Sequence, residues 1–262
     1  MWGGKYAYLK LAKKILYEKV VAFHALSPLE KVQIEAVLPA SQVYCAAQGP
    51  NLQLEKDLVP AGVKDGSVDE IQLLCVGRLD VYTKGLDYLI QAFAYAAKRI
   101  QGKRLCLRLI GPDCKGGKEQ LKRLARSLGV LGHIRFEGVV IGKELIQALK
   151  TSDIYVQMSR HDGFGQSVCE ALLMNMPAIL SREIGCISYA NIEDMAHIRK
   201  VPLSGGEAGN AIIDCAARLT ELKALAKTHS NQLRTIFSWE SAAQAHLNAY
   251  AKFSGCPLPA GN

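Results

Sequence analysis

From residue 70 onward, short apolar runs alternate with longer stretches in which apolar residues recur every three or four positions. Residues 71–76, Ile-Gln-Leu-Leu-Cys-Val, form the first run and end in Gly77-Arg78. Leu86, Leu89, Ile90, Phe93 and Ala97 follow at helical spacing. Residues 105–110 are a second run, closed by Gly111-Pro112. Leu121, Leu124 and Leu128 then mark a helix over 118–128, stopped by Gly129. The alternation continues with a strand at 134–136, a helix at 142–150, a strand at 153–156, a helix at 166–175 and a strand at 177–180. The last third reads as helical over 207–227 and 239–253. Short apolar runs separated by amphipathic helices fit strands buried on both faces. The expected fold class is therefore α/β, a Rossmann-like parallel sheet with helices on both faces.

Before residue 70 the pattern is weaker. Residues 5–19 read as a helix with an apolar side (Tyr8, Leu9, Leu11, Ala12, Ile15, Leu16) and five lysines, Lys5, Lys10, Lys13, Lys14 and Lys19. A strand-like piece at 20–23 follows. Ser27-Pro28, with Glu30 in the first turn, starts another helix. Residues 41–68 contain Gly49-Pro50, Pro60, Gly62 and Gly66 and read as loop. The expected organisation is a small N-terminal piece and linker over 1–65, an α/β domain over 66–235, and a C-terminal helix and tail over 236–262.

Composition narrows the classes. A chain of 262 residues with 49% hydrophobic and 21% charged residues can bury a core. No apolar run approaches the roughly 18 residues of a membrane span. Lysines cut the start of the chain before a signal-peptide apolar core can form. The eight cysteines show no C-x-x-C pair, so small buried hydrophobes in a reducing cytosol are expected. The formal charge of +8 permits an anionic partner. Residues 98–126 account for it, with ten Lys and Arg against Asp113 and Glu119. Aromatic residues do not interleave with these cations, so nucleic acid is not the expected partner.

In open parallel sheets ligands bind beyond the carboxyl ends of the strands. That rule selects the turns at 77–85, 111–117, 138–141 and 158–166. The first carries Gly77-Arg78 and Lys84-Gly85. These two cations could grip a diphosphate, Arg78 as a fork and Lys84 as a point charge, or could be ordinary surface cations. The last leads from a strand into a helix through Ser159-Arg160-His161-Asp162-Gly163-Phe164-Gly165-Gln166-Ser167-Val168-Cys169-Glu170. Glycines there allow close backbone approach, and N–H groups at a helix start suit a phosphate. Asp162 and Glu170 could aim carboxylates at two ends of one ligand; equally, one could be solvated and the other complement the helix dipole.

Together, Gly77-Arg78, Lys84-Gly85, the Ser159-to-Glu170 stretch with Ala171, and Met176-Pro177-Ala178-Ile179 resemble the donor half of family 4 (group 1) glycosyltransferases of the GT-B fold. Leu109-Ile110-Gly111, Phe136-Glu137-Gly138 and Phe237-Ser238-Trp239-Glu240 add to the resemblance, which covers about residues 70–253. It implies retaining transfer of a sugar from a nucleotide-diphosphate donor, a UDP-, GDP- or ADP-sugar, with no metal and no other cofactor. By the same resemblance Arg78, Lys84, Asp162 and Glu170 are the catalytic set. Gly77, Arg78, Lys84, Gly163, Phe164, Gly165, Gln166, Ser167, Val168 and Glu170 bind the donor. Glu170 holds the ribose and Asp162 the sugar hydroxyls, and Gly111, Gly138 and Val139 lie near the base. Two departures stand out. Asp162 occupies a position where the family usually has Glu. Residues 23–31 resemble the last strand and helix of a first half of which only about 65 residues precede the donor half. A separate acceptor-domain subunit, or a truncated product without activity, is the corresponding expectation. A cytoplasmic location is expected. The basic helix over 5–19 either lays its apolar side on the body of the protein with its lysines in water, or covers a partner or the anionic inner face of the membrane as a peripheral contact.

Overall fold

The computed structural model describes residues 20–51, 70–189, 192 and 194–254. The helix expected over 5–19 and the boundary between 65 and 66 lie outside the described residues. The first described elements are strand β1 (Phe23–Ala25), helix α1 (Pro28–Val37) and strand β2 (Val43–Cys45). Helix α1 starts as its sequence requires. The Ser27 hydroxyl accepts from the N–H of Glu30, and Pro28 sits where no backbone donor is needed. Strands β1 and β2 pair in parallel, Phe23 with Val43 through Ala25 with Cys45. The strand expected at 20–23 thus begins at Phe23, with Val20 and Val21 exposed. Strand β2 lies in a stretch expected to be loop.

The main body follows as β3 (Glu70–Val76), α2 (Leu86–Ala97), β4 (Arg104–Ile110), α3 (Gly117–Ser127), β5 (Ile134–Gly138), α4 (Gly142–Thr151), β6 (Ile154–Gln157), α5 (Gln166–Leu173), β7 (Ala178–Ser181) and β8 (Ile198–Val201). Helices α6 (Gly205–Ala217), α7 (Leu219–Thr228), α8 (Ser230–Ile236) and α9 (Trp239–Ser254) complete the described chain. Six parallel strands form one sheet in the order β5-β4-β3-β6-β7-β8. The helical stretch expected over 207–227 is two helices, α6 and α7, that meet at Arg218. Strand β8 was not expected. It is a four-residue edge strand whose middle residues, Arg199 and Lys200, interrupt the apolar pattern.

Strand alternation puts the core on both faces of the sheet. Ile71, Leu73 and Cys75 of β3 pack with Leu89 and Phe93 of α2 and Ile212 of α6. Leu74, between them, points the other way and joins Tyr155, Leu145 of α4 and Leu172 of α5. Helices α2 and α6 come close because α6 carries Gly209; a Cβ there would meet the Tyr95 ring at 2.5 Å. The β1–α1–β2 unit is tied to the body by side chains. The Ser27 hydroxyl donates to Gly163 O (2.8 Å) and the Tyr189 hydroxyl to Leu26 O (2.9 Å). Helix α9 packs His246 against His24, with ring centroids 4.6 Å apart.

Candidate functional site

The sheet order reverses direction between β3 and β6, since β3 leads outward to β5 and the chain returns to β6. A cleft of about 780 Å³ opens there, beyond the carboxyl ends of the strands. Its walls include Arg78, Lys84, Asp162, Gln166, Ser167 and Glu170, together with Asn51, Ile141 and Lys143.

The β3–α2 turn supplies the cations. Gly85 has φ +58°, and a Cβ there would collide with the Met158 carbonyl, so this turn lies directly on the end of β6. The contact brings Lys84 Nζ to 2.7 Å from Asp162 Oδ2. Two residues placed separately by sequence are therefore one ion pair. Arg78 is exposed at the cleft and has no hydrogen-bond partner among the described residues. Arg160, in contrast, is an anchor. It forms a fork to Asp87 (2.9 and 2.7 Å) and lies over the rings of Tyr82 and Tyr88.

The β6–α5 loop is held by backbone bonds. Asp162 N donates to Glu183 O (3.2 Å), Gly185 N to Asp162 O (2.9 Å) and Cys186 N to Phe164 O (2.7 Å). Gly165 precedes α5 with φ +89°, a left-handed conformation, and a Cβ there would come to 2.7 Å from Ile184. Phe164 and Val168 bury their side chains in the core, Phe164 edge-on to Phe237 at 5.9 Å, so a ligand can meet only their backbone groups. Gln166, Ser167 and Glu170 face the cleft. The first N–H groups of α5 carry the positive end of the helix dipole toward it.

Glu170 is 5% exposed at the cleft base. Burial raises its carboxyl pKa, while the N–H of Asn51 (3.3 Å to Oε1) and the Gln166 side chain act in the opposite direction. Gln166 in turn donates to Gly49 O (2.9 Å). The segment 49–51 is thus strapped across the start of α5.

Beneath the loop runs a buried polar chain. The Tyr155 hydroxyl lies 2.8 Å from Ser167 Oγ and 3.0 Å from Gln157 Oε1, and Gln157 Nε2 donates to Asp162 Oδ2 (2.7 Å). Ser167 Oγ also donates to Val76 O (2.9 Å), joining α5 to the end of β3. Sequence reasoning missed Tyr155, Gln157, Asn51, Ile141 and Lys143. The available signal was Gln157, a polar residue ending an otherwise apolar strand.

Other expected residues lie apart. Gly111 closes β4, where a Cβ would overlap the Gly77 carbonyl, and its N–H donates to Gly138 O (2.6 Å). Val139 is 65% exposed. Neither Gly111, Gly138 nor Val139 lines the cleft. Gly77 lies at its edge, open toward Lys84. Among the described residues no group of three or more His, Cys, Asp and Glu could hold a metal ion. None of the described helices is long and apolar enough to cross a membrane.

A family model described as glycosyl transferases group 1 matches residues 63–200. The chain belongs to this family. It is 24% identical over 253 residues to the D-inositol 3-phosphate glycosyltransferase of Rhodococcus erythropolis, covering 90% of this chain and 52% of the relative. Across the curated relatives the chain spans between 28% and 52% of their length. Sucrose-phosphate synthase from Thermosynechococcus elongatus superposes with a TM-score of 0.76 at 23% identity, over 94% of this chain and 61% of that one. Anabaena HepE, solved in complex with UDP and glucose, gives 0.73 at 16% identity, over 95% and 67%. The parallel six-stranded sheet with helices on both faces is that of GT-B glycosyltransferases.

Proposed function

We propose that this group 1 member is the donor-binding part of a retaining, family 4 type glycosyltransferase that takes its sugar from a UDP-, GDP- or ADP-sugar without a metal. One observation carries the reading. Arg78 and Lys84 line one cleft with Gln166 and Ser167, the first residues of α5, and with the buried Glu170. A diphosphate between these groups meets a guanidinium, an ammonium and helix N–H groups. That is the charge stabilisation a leaving diphosphate needs as the sugar takes on oxocarbenium character. Glu170, with few donors of its own, accepts from the ribose hydroxyls. Asp162 accepts from hydroxyls of the transferred sugar. Ile141 and Leu145 offer an apolar wall for the base, just past Gly138 and Val139. Lys84 reaches phosphate only by loosening its bond to Asp162, so donor binding and sugar contact are linked at one ion pair. The site of action proposed is the cytoplasm.

Calorimetry with UDP, GDP, ADP and their sugar conjugates tests this reading. One nucleotide should saturate the chain, and Arg78→Ala or Glu170→Ala should each weaken it about tenfold or more, as for a lost hydrogen bond to a charged group. No saturation with any of the three nucleotides would sink the reading.

A second reading makes the chain the donor-binding subunit of an assembly whose acceptor site lies on a separate polypeptide. It is favoured by β1 and β2, which among the described residues pair only with each other and leave two strand edges open. Sugar transfer by the chain alone would defeat it.

A further inference from the structure

We infer that Gln157 is a positioning residue that fixes Asp162 for recognition of the donor sugar, acting through Asp162 and not on the nucleotide. The inference rests on the nucleotide-sugar reading of the cleft and adds to it how the sugar is read.

Asp162 Oδ2 receives two donors, Lys84 Nζ and Gln157 Nε2, each at 2.7 Å. Among the described residues no donor is bonded to Oδ1, so this oxygen is left for a ligand in the cleft that Asp162 lines. The two donors differ in what a ligand does to them. Lys84 is a flexible cation at the cleft wall, and a diphosphate competes for it. Gln157 has no such freedom. It is 1% exposed, and its Oε1 lies 3.0 Å from the Tyr155 hydroxyl and 3.3 Å from the Ser167 hydroxyl. Its Nε2 also reaches Ser159 Oγ at 3.0 Å. With the Ser167 proton given to Val76 O, the Tyr155 hydroxyl is the donor to Oε1, and it orients the amide so that its NH2 faces Asp162. When phosphate draws Lys84 away, Gln157 alone keeps the Asp162 carboxylate in place.

This arrangement also accounts for the aspartate. A carboxylate on one methylene stays close to its loop backbone, within reach of the side chain that ends β6 five residues earlier. An apolar residue at 157 would fill the same space but leave Asp162 free to rotate about its short side chain. One oxygen is then spent on the protein and the other offered to the sugar hydroxyls.

The test uses the full 262-residue chain and calorimetry with UDP against UDP-glucose, GDP against GDP-mannose, and ADP against ADP-glucose. The quantity read is the ratio of affinities, sugar conjugate over bare diphosphate. Gln157→Met should cut that ratio about tenfold or more, the order of one hydrogen bond to a charged group, with the bare diphosphate changed less than about twofold. In an Asp162→Asn background the same substitution should change the ratio no further, because both act through one carboxylate. A parallel loss of both affinities would mean a merely structural role and overturn the inference. So would an unchanged ratio, a wild-type ratio of one, or additive effects in the Asp162→Asn background. Failure of the wild-type chain to bind any of the nucleotides would overturn the donor-site reading, and this inference with it.

Discussion

His197 carries no charge in this fold. It is fully buried, its ring stacks on His229 with centroids 5.2 Å apart, and neither ring nitrogen has a hydrogen-bond partner among the described residues. Burial, with His229 beside it, pulls its pKa down to about 4. A depressed folded-state pKa means that the unfolded chain takes up the proton first. The stability tied to the neutral ring is therefore present above about pH 6.5 and lost progressively as pH falls toward 4, of the order of 3 kcal/mol. Urea unfolding at pH 7 and pH 5 should show about 2 kcal/mol of this loss in the wild type and a smaller change in His197→Phe. Glu170 has the opposite sign. Burial raises its pKa, so folding favours the protonated acid, and its contribution is best at low pH and worsens as pH rises through the folded-state value. Glu170→Gln should accordingly melt no lower than the wild type at pH 7.5, and higher if the buried charge dominates, while losing that advantage at pH 4. The same substitution should weaken nucleotide binding. A residue whose replacement helps the fold and harms the ligand marks a site under functional strain.

Helix α5 depends on the backbone at its entry. Gly165 combines φ +89° with a Cβ position 2.7 Å from Ile184, so Gly165→Ala meets both left-handed strain and a clash. The cost should be about 2 kcal/mol or more, lowering the melting temperature by about 5 °C for a chain of this size. Nucleotide affinity should fall as well, since the N–H groups that face the cleft belong to this turn. Element by element, the sheet was legible because its central strands are continuous apolar runs ended by Gly77-Arg78 and Gly111-Pro112. The two strands that were missed are short and lie outside that pattern. Strand β2 spans three residues beside Gly49-Pro50, and β8 carries Arg199 and Lys200 between its apolar ends. The cleft was legible where the motif residues lie on its turns. Its closing contacts were not, because no local pattern records them. Asn51 contributes a backbone N–H, which any residue but proline has, and the Lys84–Asp162 pair joins positions 78 residues apart. Gln157 stands in sequence only as a polar residue at the end of an apolar strand, because only the folded loop brings Asp162 back over it.

The whole molecule is closed by contacts between its early and late segments. Trp239 covers Gly49, where a Cβ would meet the indole at 2.5 Å, and donates from Nε1 to Pro50 O (3.0 Å). Through Gly49 and Asn51 the same strap reaches Gln166 and Glu170. Trp239→Ala should therefore cost about 1–2 kcal/mol of stability for lost packing and one hydrogen bond. It should also weaken nucleotide binding severalfold although Trp239 lies outside the cleft wall; urea titration and calorimetry on one preparation would measure both. These closures span long loops, 189 residues from Pro50 to Trp239, 136 from Ser27 to Gly163 and 119 from Asn51 to Glu170. Neighbouring strands such as β3 and β4 pair over far shorter separations, Glu70 with Arg104. Loop-closure entropy thus orders events in time: the sheet can assemble first, and the strap docks on Glu170 only when the chain's distant parts meet. During refolding, far-ultraviolet dichroism should recover before nucleotide affinity does, and added nucleotide should hasten completion without speeding the sheet.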